Sequence, residues 1–301
     1  MLSKIGYWGY YIISWFAWAL PLRIAYFISD IFYIFIYKVG KYRIKVVREN
    51  LKNAFPEKAE TERLAIERKF YHHFCDLFIE SMQLMHMGEK EAKRRFSYTN
   101  VELFDSCYKN NKNMIAILGH HGNWETNITF PLWSSYKSLA TYKPLNDPYF
   151  NAKMQKDRQR FGMEVVSMRN TIKRTLECVN SGSPTILALI ADQAPMPNES
   201  DFWTIFLNQE SAIFMGPEKV ARKINATVIF IKMEKVKRGY YKVSPILICE
   251  NAKETIPGEI TQKHVAILED IIHEKPEFWL WSHRRWKRKR PQNVNLQCSN
   301  E

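Results

Sequence analysis

Met114-Ile115-Ala116-Ile117-Leu118-Gly119 runs directly into His120-His121-Gly122-Asn123-Trp124-Glu125. The first half is a short apolar run of the length of a buried strand; the second places imidazoles and a carboxylate at its mouth, where a general base and its partner are useful. A glycine on each side of the histidine pair lets the chain turn tightly, and Asn123 can cap a helix starting at Trp124. The stretch therefore reads as strand, turn, helix. Five residues separate His120 from Glu125, which would place them about 140° apart on one regular helix, too far to meet. With His120 in the turn and Glu125 in the first helical turn behind it, the carboxylate can curl back onto the ring, fix one tautomer and raise the basicity of the other nitrogen. His121, four residues before Glu125, is a rival for the base. No Ser or Cys occupies a nucleophile elbow nearby, so the pattern points to direct base catalysis on a substrate hydroxyl rather than a covalent route.

Working outward, short apolar strands alternate with helices. Strands are expected at 114–118, 138–142, 164–166, 185–190, 226–232 and 241–248, and helices at 60–87, 123–136, 148–160, 171–180, 217–225 and 261–275. This alternation predicts an α/β fold with a largely parallel mixed sheet covered by helices on both faces. In such a sheet, ligands gather at the carboxyl ends of the strands. Asp192 follows the strand 185–190, Arg169 follows 164–166, and Tyr142 and Lys143 end 138–142. Arg169 and Asp192 can also be read as a purely structural ion pair.

The chain has 301 residues, 46% of them hydrophobic, a net charge of +13 and a pI near 9.4. That charge implies an acidic partner: an anionic bilayer face, an acidic carrier protein or nucleic acid. Nucleic acid is set aside, because the sequence has neither zinc-finger spacing nor an aromatic RNP-type strand. From Ile5 to Tyr37 the only charged residues are Arg23 and Asp30, and thirteen residues are aromatic. Residues 1–40 thus read as a membrane anchor, either a tilted span interrupted at Pro21 or a shallow hairpin, with 41–301 as the catalytic domain. Lys38, Lys41, Arg43, Lys45 and Arg48 follow at once and should hold that domain on the cytoplasmic side. Cys75, Cys107, Cys178, Cys249 and Cys298 form an odd, scattered set, which suits a reducing compartment and no zinc site. His72, His73 and Asp76 read as ordinary positions on the 60–87 helix. Arg284 to Arg290 carries six basic residues in seven, read either as a solvated face or as a site for an anionic head group or acidic carrier.

The tract Gly119 to Glu125 resembles the His-x-x-x-x-Asp/Glu signature of the lipid A biosynthesis acyltransferases of lauroyl/myristoyl type, relatives of the glycerol-phosphate and lysophospholipid acyltransferases. Similar tracts follow in family order: Tyr42-Arg43, Val47-Arg48-Glu49-Asn50-Leu51, Phe55-Pro56, Tyr142-Lys143-Pro144-Leu145, Ala191-Asp192-Gln193, Gly216-Pro217-Glu218 and Trp281-Ser282-His283-Arg284-Arg285-Trp286-Lys287. The resemblance implies a glycerol-phosphate acyltransferase-like fold and a cofactor-independent, inner-membrane enzyme. It would move an acyl chain from acyl carrier protein to a hydroxyl of a lipid A precursor, with His120 as base and Glu125 aligning it. Arg169 would then stabilise the oxyanion or hold a phosphate; Arg158 and Arg160 resemble a second family arginine position and compete for that role. Asp192 would orient an arginine or the acceptor hydroxyl. A different lipid acceptor, such as a lysophospholipid or aminolipid, and a non-catalytic membrane protein binding anionic lipid are the alternatives.

Overall fold

All five side chains of Met114–Leu118 are buried, as expected of a strand with neighbours on both edges and helices on both faces. The computed structural model describes residues 2–196, 199, 202–292 and 294–297. In chain order the elements are α1 (Leu2–Ala19), α2 (Leu22–Tyr33), a π-helical turn at Ile34–Val39, α3 (Ile44–Ala54), α4 (Glu60–Leu84), α5 (Glu89–Arg95), β1 (Phe96–Tyr98) and α6 (Val101–Lys109). Then come β2 (Met114–Leu118), a 3-10 helix at Trp124–Leu132, β3 (Lys137–Tyr142), α7 (Pro148–Arg158), β4 (Glu164–Ser167), α8 (Thr171–Asn180) and β5 (Thr185–Ile190). The chain continues with β6 (Phe202–Phe206), β7 (Gln209–Ile213), α9 (Gly216–Ile224), β8 (Thr227–Lys237), β9 (Tyr240–Cys249) and α10 (Glu259–Glu274).

Seven strands form the main sheet in the order β1-β9-β8-β2-β5-β3-β4. β8, β2, β5, β3 and β4 run parallel, whereas β9 pairs antiparallel with β8 and carries β1 parallel to itself. The sheet is thus mixed and largely parallel. Ile115, Ile117, Leu187 and Leu189 point to a face packed by Val220 of α9 and by Leu268 and Ile272 of α10. Met114, Ala116, Leu118 and Ile186 point to the other, against Phe104 of α6 and Phe130 of the 3-10 helix.

The strands β1, β6 and β7 and the helices α3, α5 and α6 escaped the sequence reading. β1 is a three-residue edge strand, too short to show a period. β6 and β7 form an antiparallel hairpin whose two turn residues, Leu207 and Asn208, both have positive φ, 50° and 61°. That is the backbone of a tight hairpin turn, and Leu207 in place of Gly or Asn hid it. The helix expected at 123–136 is also corrected. Here Thr126 Oγ1 donates to Asn123 O (2.8 Å), Asn127 Nδ2 to Trp124 O (2.9 Å) and Thr129 Oγ1 to Thr126 O (2.7 Å). Side chains that satisfy carbonyls three residues back, with Pro131 inside the segment, favour the tighter winding. Asn123 does not cap it; its Nδ2 donates to Glu80 Oε2 at 2.7 Å.

The expected spanning anchor is corrected too. Among the described residues no helix is long and apolar enough to cross a membrane. The chain breaks at Pro21, where a proline restrains the preceding residue, and Tyr33 and Tyr37 join the main core. α2 is locked onto α4 by polar contacts: Tyr26 donates to Glu80 (2.9 Å), Ser29 to Asp76 (2.8 Å), and Arg238 forks onto both Asp76 and Asp30 at 2.6 Å. The opposite sides of α1 and α2 expose Trp8, Ile12, Trp15, Phe16, Ile24 and Phe27. His72 stacks on Tyr33 and His73 is buried, in keeping with ordinary positions; no metal cluster occurs among the described residues. Cys75, Cys107, Cys178 and Cys249 are free thiols, while Cys298 lies outside the described residues.

Glu80 of α4 is the buried hub, accepting from Tyr26, Asn123 and Tyr241 at 2.9, 2.7 and 2.8 Å. Glu80→Ala strands three buried donors and should cost roughly 3 kcal/mol or more, whereas Tyr26→Phe, which removes one donor, should cost about 1 kcal/mol. Urea unfolding of both variants measures the contrast, and equal losses would contradict the hub.

Candidate active site

β2 and β5 are neighbours in parallel register, with Leu118 opposite Ile190, so the residues just past their ends emerge side by side. That places Asp192 against His120. The His120 ring donates from Nδ1 to Asp192 Oδ1 at 2.6 Å, and its backbone N–H donates to Oδ2 at 2.8 Å. Trp279 Nε1 supplies a third donor to Oδ2 at 2.8 Å. The carboxylate is 2% exposed and the imidazole 16%. Burial alone would raise the Asp192 pKa, but the charge and hydrogen bonds of His120, with Trp279, hold it below the usual carboxylate range. Burial would lower His120; the Asp192 charge and bond, helped by the Glu125 charge, outweigh it and raise the ring.

The turn itself is pinned from two sides. Gly122 adopts φ +67°, which only glycine takes at little cost, and an added Cβ there would meet Met233 Cγ at 3.0 Å. Gly119 serves instead for close approach, since a Cβ would fall 2.7 Å from Leu268 Cδ1. Residues 278–280 zip antiparallel along the turn: Gly122 N donates to Phe278 O (3.0 Å), Leu280 N to His120 O (3.1 Å), and His121 bridges to Trp279. His121 points away from the acid, its Nε2 donating to Lys275 O at 3.0 Å, and burial lowers its pKa. Of the two rings, it is His120 that carries the acid, while His121 is engaged by the Lys275 carbonyl.

Glu125 does not buttress His120. It binds Arg158, accepting from Nη2 at 2.8 Å and Nε at 3.3 Å. Both side chains are more than a quarter exposed, and Glu125 acts on the ring only through its charge. α7 delivers Arg158 because Asp147 caps its start, accepting from Tyr149 N and Phe150 N at 2.9 Å. Asp192, expected to orient an arginine or a hydroxyl, is the ring's own partner. The remaining candidates fall elsewhere. Arg169 is exposed in the turn after β4; β4 is the edge strand, with β5 and β3 between it and β2, about 14 Å away at the usual strand spacing. It forms no pair with Asp192. Arg160 donates to the carbonyls of Leu84 and Met85 and so closes the end of α4. Tyr142 accepts from Gln155 Nε2, and Lys143 is exposed.

Trp279 was missed, and Gln193 and His283 were seen only as members of similar tracts, with no role at the site. Gln193 Nε2 lies 3.2 Å from His120 Nε2. His283 is pushed down to about 4, chiefly by burial, with the positive charges of His120, Arg285 and Lys287 adding to it and the Asp192 charge opposing it. The Trp281-to-Lys287 tract is tied to α3: Asn50 donates to Trp281 O (2.8 Å) and His283 O (3.0 Å), and Arg43 to Ser282 O (2.9 Å). The basic run is only partly a solvated face, because Arg285 is buried and donates to Ala212 O at 2.7 Å; Arg284, Lys287 and Lys289 are exposed.

Beneath the turn the sheet is furrowed. Ala116 stands opposite Ala188, and Ala188 opposite Ala140, so three small side chains line up across β2, β5 and β3 on one face. A narrow apolar cavity of about 20 Å³ lies there, bordered by Ala116, Leu118, Phe130, Met163, Ala188 and Ile231.

Residues 1–288 match the sequence model of the bacterial lipid A biosynthesis acyltransferases. The chain is 23% identical over 263 residues to the lipid A biosynthesis myristoyltransferase of Escherichia coli (strain K12), covering 85% of this chain and 79% of that protein. It is 21% identical over 294 residues to the lipid A biosynthesis lauroyltransferase of the same organism, covering 93% and 94%. A lipid A biosynthesis acyltransferase 2 of Shigella flexneri is 24% identical over 166 residues, covering 54% and 52%.

With its pKa raised above the 6.5 of free imidazole, a His120 acting as base should lose activity as pH falls through that raised value. Asp192→Asn removes the cause. The acid limb of kcat/KM should then move to lower pH while kcat drops about 10³-fold or more; an unmoved limb would mean that Asp192 does not set the basicity of His120.

Proposed function

The chain belongs to the bacterial lipid A biosynthesis acyltransferase family and is an acyltransferase, and from that premise we propose that it transfers a fatty acyl chain from acyl carrier protein to a hydroxyl of a lipid A precursor, with His120 as general base. The observation that carries this reading is the 2.6 Å bond from His120 Nδ1 to the buried Asp192, set above an apolar furrow. The carboxylate leaves the Nε2 lone pair as the proton acceptor and stabilises the imidazolium once formed. The acceptor hydroxyl attacks the thioester carbonyl as its proton passes to Nε2. The tetrahedral intermediate collapses, the carbon–sulfur bond breaks, and the imidazolium returns the proton to the departing thiolate. No cofactor takes part. Glu125 holds Arg158 at the open side of the ring, where the guanidinium offers a fork for an anionic group of the acceptor. Arg158 takes over the role expected of Arg169.

The acyl chain lies along the Ala116-Ala188-Ala140 row. At about 20 Å³ the cavity is narrow, and Phe130 and Met163 turn aside to admit a chain; methionine yields readily in such a place. The exposed apolar sides of α1 and α2, rich in Trp and Phe, lie in the interface of an inner membrane rather than across it. Their basic successors, Lys38, Lys41 and Lys45, favour the cytoplasmic leaflet, and the exposed Arg284, Lys287 and Lys289 suit an acidic carrier or head group. A lipid acceptor other than a lipid A precursor would meet the same machinery.

Detergent-extracted protein, acyl carrier protein thioester and lipid A precursor test this directly. His120→Ala should abolish product, and equal transfer by wild type and variant would remove the assignment. Acyl transfer only to a lysophospholipid would replace the acceptor. Ala188→Phe fills the furrow; mass spectrometry of the product should then show a shift toward shorter chains with His120 chemistry intact, and an unchanged chain length would place the acyl group elsewhere.

A further inference from the structure

The nitrogen that the reaction needs is already occupied. Because the Nδ1–H of His120 donates to Asp192 at 2.6 Å, Nε2 carries a lone pair, and the Gln193 carboxamide 3.2 Å away is its donor. A hydroxyl cannot reach that lone pair until the carboxamide moves. The main chain beneath Gln193 is anchored, since Ala191 N donates to Leu118 O at 3.0 Å and the Asp192 carboxylate holds three donors. The Gln193 side chain itself is only half-buried. The backbone is thus anchored, while a rotamer change of this half-buried side chain would carry the carboxamide off Nε2.

We propose that Gln193 keeps the acceptor's place at His120 Nε2 in the empty enzyme and, once displaced, donates its N–H to the thioester oxygen as that oxygen becomes negative. The inference rests on the His120 base reading and names a group that completes it. A reacting hydroxyl hydrogen-bonded to Nε2 sits within about 3 Å of it, and the carbonyl carbon must approach within about 3 Å of that hydroxyl. A carboxamide pivoting from 3.2 Å beside the same nitrogen sweeps the region where the oxyanion forms. As the oxygen–carbon bond forms and the hydroxyl proton moves to Nε2, the carbonyl π electrons settle on that oxygen and the Gln193 N–H stabilises them. When the carbon–sulfur bond breaks, the oxyanion re-forms the carbonyl and releases the donor, while the thiolate takes the proton from His120. Gln193 then returns to Nε2. The same side chain that guards the base in the resting enzyme thus serves the intermediate, and its amide never changes protonation.

Steady-state kinetics of Gln193→Leu and Gln193→Glu, assayed with acyl carrier protein thioester and lipid A precursor beside His120→Ala, test the proposal. Loss of one preorganised oxyanion donor should lower kcat about 10²-fold in Gln193→Leu, while KM for the acceptor stays level or falls because nothing has to be displaced. In Gln193→Glu the new carboxylate should move the acid limb of kcat/KM upward by about one pH unit, which reports that this side chain lies against the reacting ring; the kcat loss in Gln193→Leu with KM level or lower is the change that a merely structural role would not produce. In the empty enzyme, the 15N shift of His120 Nε2 should change in Gln193→Leu as the hydrogen bond is lost. A Gln193→Leu enzyme with kcat within threefold of wild type, or a Gln193→Glu enzyme with an unmoved acid limb, overturns the proposal. Should Gln193→Leu fail to fold by thermal scanning, Gln193→Asn, whose shorter carboxamide cannot span the gap, takes its place under the same criterion. Activity surviving in His120→Ala would instead strike the base reading itself, whatever Gln193 does.

Discussion

The Asp192 carboxylate is the constraint on which the rest depends. An ion taken out of water costs several kcal/mol unless its lone pairs are satisfied. Here the satisfaction comes from the His120 ring, the His120 backbone and the Trp279 indole, at 2.6, 2.8 and 2.8 Å. Those donors belong to the turn that follows β2 and to the segment after α10. The acid is at home only when β5, β2 and the C-terminal segment are all in place. Charge burial therefore works as an assembly condition as well as a means of tuning an imidazole.

Much of the frame could be read from local pattern. β2, β5 and α8 fall where the apolar runs place them, because a strand buried on both faces has to be continuously apolar and a crossover helix has to carry one apolar stripe. His120 stood out for the same local reason. Its partner did not. Glu125 is near in sequence, and proximity along the chain suggested a contact that the 3-10 winding of Trp124–Leu132 turns toward Arg158 instead. Asp192 is far in sequence and adjacent in space only because β5 pairs with β2, and strand order is a property of the whole sheet. Trp279 shows no sign in a linear pattern, since its role is one indole N–H at the end of a bridge to His121. The Ala191-Asp192-Gln193 tract was the available signal: a carboxylate directly after a strand of the same burial type as β2.

Behind the turn lies a second layer of polar support. His73 Nε2 approaches Gly122 O at 3.3 Å, and Asn123 donates to Glu80, both on α4. α4 also receives α2 through Tyr26, Ser29 and the Arg238 fork. The buried polar groups are connected to one another rather than scattered, which is the arrangement in which such groups rigidify a core instead of weakening it. The apolar helices at the start of the chain thereby share a framework with the histidine turn.

The bridge between His121 and Trp279 has a consequence for synthesis. A nascent chain emerges from the ribosome amino end first, and its domains consolidate in that order. The apolar helices and the histidine turn exist long before the indole that completes the acid's shell is made. Until the segment after α10 has threaded back across the sheet, His120 lacks the rails provided by Phe278 and Leu280. The half-made polypeptide can settle against its surroundings while the buried acid still lacks its last donor, and the shell closes late in translation as a single event.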